Sequence, residues 1–208
     1  MTALSTDALN VQDYIDRYLI HPDCHWDAMG FNFGHLNYAV RRFHFCAATN
    51  DNNDSDDETG LAARREPVNH WMIFLQTSHH SSVRLSISSG ETADDPALIE
   101  VISKEYTMSH FSPASVSSDV VGRVTVEAVL RLLILRGRDR YRFTPTHVGC
   151  RWWTCCIACD FEAVGWVREG FAQQVTDAAS LYYSFPKSQQ HHAPTIGVYT
   201  RIEQGKFF

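Results

Sequence analysis

Two short patches of this chain combine residue types and spacing that could carry covalent chemistry: Asn69-His70-Trp71 and Gly149-Cys150-Arg151-Trp152-Trp153. Cys150 follows a glycine at the start of a segment with helical spacing. A cysteine in the first turn of a helix meets the positive end of the peptide dipoles and unpaired backbone N–H groups, which favour thiolate over thiol. The same N–H groups could receive the oxyanion formed when a thiolate attacks a carbonyl, and a histidine on an adjacent strand could take the thiol proton. His70 lies in the apolar and aromatic run from Val68 to Leu75, on one face with Val68, Met72 and Phe74. Cys150 is therefore the candidate nucleophile and His70 the candidate base. Each also has a plainer reading, the histidine as a hydrogen-bonded core residue and the cysteine as a small buried hydrophobe.

A histidine followed by an aromatic residue in a strand, then a cysteine opening a helix with an aromatic three residues on, resembles the circularly permuted papain-like fold. Lecithin:retinol acyltransferases and related phospholipid acyltransferases have that order, within the wider NlpC-type class of thiol hydrolases. The matching residues are His70-Trp71 with Ile73-Phe74-Leu75, and Cys150 with Trp153 in the run GCRWWTCCIACDFEAVG. The resemblance implies Cys150 as nucleophile and His70 as base. Its third polar residue would follow on the next strand, where His79, His80 and Arg84 are available. Gly149 stands where those acyltransferases usually have asparagine. The arrangement NHW, VRL, GRDRYRF and GCRWW also looks like that of a fungal protein family whose mechanism is not known.

The remaining features bear on substrate. Arg131, Arg136, Arg138, Arg140, Arg142 and Arg151 gather before and at Cys150 against one acid, Asp139. Guanidinium forks match phosphate and carboxylate groups, so Arg142 and Arg151 are candidates to hold an anionic substrate. Against this, the Arg151 side chain points about 100° around the helix from Cys150 and could instead anchor the helix. Trp71, Trp152 and Trp153 are candidate walls of an aromatic pocket. Cys155, Cys156 and Cys159 share a short helical stretch without the separated knuckles of a structural zinc site, and they read as buried small residues. His79-His80 and His191-His192 read as solvated loops. No metal and no cofactor are implied.

These residues must be positioned by a scaffold, and the periodicities predict one. Strands are expected over 38–48, 68–75, 82–88 and 98–107, the third alternating strictly as Val83-Arg-Leu-Ser-Ile-Ser88. The serine-rich stretch from Ser112 to Ser118 reads as a loop. Thr125 caps a helix carrying Val126, Val129, Leu130 and Leu133 and stopped by Gly137. A second helix runs from Cys150 to Val164, closed by Gly165, and a third spans Glu169 to Phe185. The tail after Pro194 could return as a strand. The order of periods, β then α, predicts a single α+β domain over 1–208, an antiparallel sheet packed by helices in a papain-like (permuted) arrangement. The run NDNNDSDDE falls in a flexible acidic loop at 49–66.

Composition bounds the function. An apolar content of 44%, with aromatic residues making up 12% of the chain, fills one core. A net charge of −6 and the lack of regularly interleaved aromatics argue against nucleic acid. No apolar run reaches the ~18 residues of a membrane span. The start of the chain lacks a secretory layout, and four of the six cysteines cluster, so reduced thiols in a cytoplasmic protein are expected. The function expected is thiol-dependent acyl transfer or amide or ester hydrolysis by a Cys-His dyad on a small-molecule or peptide-like substrate, anionic if the arginines flank the pocket. The competing expectations are a binding domain for a small molecule or a protein partner with an aromatic pocket, and a non-covalent cyclase or lyase of secondary metabolism.

Overall fold

A computed structural model describes residues 19, 25–48, 68–92, 94–184 and 195–208. The acidic stretch at 49–66 and the His191-His192 pair lie outside the described residues. Six strands form the main sheet: β1 (Trp26–Asp27), β2 (Arg42–Ala48), β3 (His70–Gln76), β4 (Ser82–Ser88), β5 (Leu98–Lys104) and β6 (Ser115–Asp119). Their order is β1-β5-β4-β3-β2-β6. Every pairing is antiparallel except that of β1 with β5, so the fold is α+β with a mixed sheet and not the purely antiparallel one expected.

Alternation decides which face is buried. Val83, Leu85 and Ile87 of β4, with Phe43 and Phe45 of β2 and Trp71, Ile73 and Leu75 of β3, form one core face. On the other face of β3, Phe74 is covered by Tyr106, at 6.1 Å between ring centroids. Burial on both sides accounts for the unbroken apolar run in that strand.

The helices α1 (Val126–Leu135), α2 (Cys150–Ala163) and α3 (Phe171–Ala179) follow. Thr125 caps α1 by accepting the Ala128 N–H at 3.2 Å. Gly137, at φ 64°, ends it, with the Arg138 N–H reaching back to the Leu133 carbonyl at 2.7 Å and the Gly137 N–H to that of Ile134 at 2.9 Å. Gly165, at φ 76°, closes α2 with the same pair of bonds, from the Trp166 N–H to Phe161 and from its own N–H to Glu162. Phe161 of α2 packs on Phe43 at 4.5 Å, and Phe171 of α3 on Phe45 at 5.4 Å, which docks both helices on the core face. Arg138 and Asp160 tie the end of α1 to α2 through two bonds of 2.6 and 3.0 Å. No helix among the described residues is long and apolar enough to cross a membrane.

Three sequence expectations need correction. The third helix stops at Ala179, where the Ser180 N–H caps the last carbonyls, and Leu181–Ser184 instead forms β8, paired with β9 (Thr195–Tyr199). Two adjacent tyrosines fit a strand as well as they fit a helical face, and the pairing with β9 decides. The serine-rich segment is β6, which joins the sheet through its backbone, Cys46 facing Ser115 and Arg42 facing Asp119. The first large strand begins at Arg42 because 33–37 is a 3₁₀ turn and Val40 bonds to Val124. Short strands β7 (Tyr141–Arg142) and β10 (Lys206–Phe207) pair separately.

The C-terminal segment is held by two buried polar side chains. The Asn69 amide donates to the Tyr183 carbonyl at 2.8 Å and accepts the Tyr183 N–H at 2.7 Å, so it pairs with β8 as another strand would. Arg151, 2% exposed, donates to the carbonyls of Ala179 (3.1 Å), Thr200 (3.3 Å) and Arg201 (2.7 Å) and to the Thr200 hydroxyl (2.6 Å). Its guanidinium is a structural anchor. Arg151→Gln is expected to cost about 3 kcal/mol, because several buried carbonyls lose a charged donor together. A urea titration showing a lowered midpoint with an unchanged slope would bear this out, and a midpoint within error of the parent would refute it.

Candidate functional site

The site lies where the sheet opens. The ladder of β3 with β2 runs from Gln76 through His70, but its ladder with β4 runs only from Gln76 to Ile73. Meanwhile β4 stays paired with β5 as far as Ser88. His70 and the Ser86–Ser88 end of β4 therefore diverge into a fork, and the amino end of α2 sits at it. A cleft of about 170 Å³ there is lined by His70, Cys150, Ile87, Ser88, Phe143 and His147 among others.

Cys150 is the first residue of α2, and the first helical hydrogen bond runs from the Trp153 N–H to the Gly149 carbonyl. No side chain caps this end. The preceding amides thus remain free of intrahelical partners, as a helix start requires. The absence of a side chain at position 149 has a packing reason. A Cβ there would lie 2.8 Å from the Tyr141 hydroxyl and 3.2 Å from the Phe143 ring. Tyr141 is fully buried, and its hydroxyl donates to the Gly149 carbonyl at 2.9 Å while accepting the Gly205 N–H at 3.0 Å.

The Cys150 thiol and the His70 imidazole line the same cleft, and each is the strongest influence favouring the charged form of the other. The sulfur also lies 3.9 Å from the Asn69 carbonyl. Burial opposes charge on the sulfur. The bond and charge of His70, the Trp71 backbone N–H and the Arg151 charge outweigh it, and the thiol is held below its ordinary value. Burial likewise opposes the imidazolium. The Cys150 partner outweighs it, with Glu100 assisting and Arg84 opposing, so His70 is raised. Each group stabilises the charged form of the other. The other described cysteines go the opposite way: burial lifts Cys46 and Cys156 to about 12, Cys155 to about 11, and Cys159 upward as well.

The residues alone did not point to the group that orients His70. Ser86 Oγ on β4 lies 2.8 Å from His70 Nε2, which leaves Nδ1 as the ring nitrogen available to the sulfur. His79 and His80 are exposed in the turn before β4, and Arg84 is engaged by Glu100. The strict alternation of β4 was the available signal, because it puts Ser82, Arg84 and Ser86 on the face opposite Val83, Leu85 and Ile87.

The other candidates lie elsewhere. Trp71 and Trp153 are fully buried in the core, and the Trp153 indole donates to the Arg138 carbonyl at 2.8 Å. Trp152 packs half-buried against that core outside the cleft lining. Arg142 stacks over Phe208 at 4.5 Å, and Arg151 is taken up by the C-terminal backbone. Cleft and tryptophans are thus separate features. Among the described residues no group of three or more histidine, cysteine or acidic side chains is placed to hold a metal ion.

Iodoacetamide near neutral pH is expected to label Cys150 ahead of Cys46, Cys155 and Cys156, since only thiolate reacts. As pH rises, the Cys150 rate should climb at a value well below the ordinary 9.0, because the thiol is depressed and ionises earlier. Peptide mapping checks both, and labelling of Cys150 no faster than of its neighbours would contradict the coupling.

Comparison with curated proteins and with solved structures finds no match. Residues 43–208 match the family profile of a domain of unknown function (DUF7770), a span that runs from the second residue of β2 through β10 and includes the fork, His70 and Cys150. By this match over most of its length, the chain belongs to the DUF7770 family.

Proposed function

We propose that this protein is a thiol-dependent acyl-transfer enzyme or amide or ester hydrolase, with Cys150 as nucleophile, His70 as base and Ser86 as the residue that positions His70. The observation that carries the reading is a depressed thiol at a helix amino end and a raised imidazole lining one cleft, each favouring the charged form of the other. The order of the parts supports the permuted papain-like arrangement: base on β3, positioning residue on the adjacent β4, then the nucleophile opening α2.

The chemistry follows from the geometry. The Cys150 thiolate attacks the acyl carbonyl carbon, a C–S bond forms, and the carbonyl electron pair moves to oxygen beside the free amides at the start of α2. Collapse breaks the bond to the leaving group, which takes the proton held by His70. His70 then deprotonates water or an acceptor, whose attack on the thioester releases Cys150. Ser86 touches neither substrate nor sulfur and acts by holding the ring.

An activated ester or thioester should leave an acyl adduct on Cys150 visible by intact mass, and Cys150→Ala should abolish it. His70→Ala should slow acylation by about 10²- to 10⁴-fold. Ser86→Ala should slow it by about 10- to 100-fold, the scale of a misplaced base. Acylation by the charged pair should rise with pH as the depressed thiol ionises, below 9.0, and fall as the raised imidazole loses its proton, above 6.5. An adduct that forms equally in Cys150→Ala would refute the proposal.

A further inference from the structure

The cleft holds a second histidine. His147 lines it from the segment between β7 and α2, and at φ 58° it is the one non-glycine residue with positive φ among the described residues. That conformation costs about 1–2 kcal/mol for a residue with a side chain. A closed turn holds it in place. The His147 N–H donates to the Thr144 carbonyl at 2.8 Å, the Val148 N–H to Thr144 Oγ1 at 3.2 Å, and the Thr144 N–H to the Val148 carbonyl at 3.0 Å. The backbone is fixed while the ring is exposed, without a hydrogen-bond partner among the described residues.

The rest of the lining indicates what that ring would meet. Ser88 and Ser89 follow from the diverging end of β4, and Phe143 and Val148 supply apolar walls. The cleft lining contains no carboxylate, and no arginine or lysine. Its polar groups include two imidazoles and two serine hydroxyls, with the amino end of α2 alongside. Such a wall favours a small group rich in acceptor oxygens and bearing negative charge. Arg142 and Arg151, the sequence candidates for that task, are engaged with Phe208 and with the C-terminal backbone.

We infer that His147 is a specificity residue whose imidazole N–H, with the Ser89 hydroxyl, holds a carboxylate of the substrate. The preferred substrates are then small acyl compounds with a carboxylate close to the reacting carbonyl. The inference rests on Cys150 being the nucleophile. It deepens that reading by placing substrate charge on the segment that leads into α2.

Iodoacetate and iodoacetamide differ only in carrying a carboxylate or a neutral amide beside the reacting carbon, so the ratio of their rates at Cys150 reads the charge preference of the cleft. Rates at Cys150 are measured by peptide mass spectrometry and normalised to the ratio for free glutathione. The ratio should fall about fivefold in His147→Asn, a replacement that tolerates the left-handed backbone, and also fall in Ser89→Ala, which leaves the strained turn untouched. His79→Asn, in the exposed turn before β4, should leave it unchanged. A ratio unaffected by both His147→Asn and Ser89→Ala, with Cys150 labelled by both reagents, overturns the carboxylate subsite and leaves the nucleophile standing. Labelling by iodoacetamide but not by iodoacetate in the parent protein overturns the carboxylate subsite alone, and failure of both reagents overturns the nucleophile and this inference together.

Discussion

A cysteine covered by the protein keeps its proton unless something beside it stabilises the negative charge, and Cys46, Cys155 and Cys156 obey that rule. Cys150 departs from it because the His70 imidazole is within reach, and His70 is within reach because β3 and β4 separate before their ends. A fully paired ladder would leave no fork at which the start of a helix could sit. The short β3–β4 pairing, from Ile73 to Gln76, is therefore the constraint on which the site depends. The Ser86 hydroxyl bridges what the backbone leaves open and fixes the ring.

The residues next to the dyad in sequence give it rigidity. Asn69 precedes His70 and pairs with the backbone of Tyr183, and Arg151 follows Cys150 and binds Ala179, Thr200 and Arg201. Two separate elements, β3 and α2, are thus fastened to the same C-terminal segment immediately beside their reactive groups. Preorganisation of this kind holds the Cys150 sulfur and the His70 ring at one cleft without a ligand to draw them together. Tyr141 adds a third restraint, its ring occupying the space a side chain at position 149 would need.

Much of this was legible in the sequence because its signals are local. Alternation in Val83–Ser88, the Thr125 cap and the stops at Gly137 and Gly165 each record a nearest-neighbour rule, and the elements follow them closely. Cys150 and His70 could be nominated for the same reason, from a helix start and a strand. What the residues did not reveal depends on pairing across the chain. The edge strand Ser115–Asp119 has little hydrophobic pattern and exists through its ladder with β2. Ser86 is one of many serines until the fork brings it to the imidazole. Arg151 was equally suited to a substrate or to a carbonyl cage, and only the path of the distant C-terminal segment decides between them.

The coupling of sulfur and imidazole is the claim from which the functional reading follows, and thiolate absorbance near 240 nm tests it without any substrate. The parent protein minus Cys150→Ser should show one thiolate titrating well below the ordinary 9.0. The same difference taken in a His70→Ala background should move that titration upward, since burial then acts on the sulfur without the imidazole to oppose it. A Cys150 signal that titrates at or above 9.0 in the parent, or that is unmoved by loss of His70, would contradict the account.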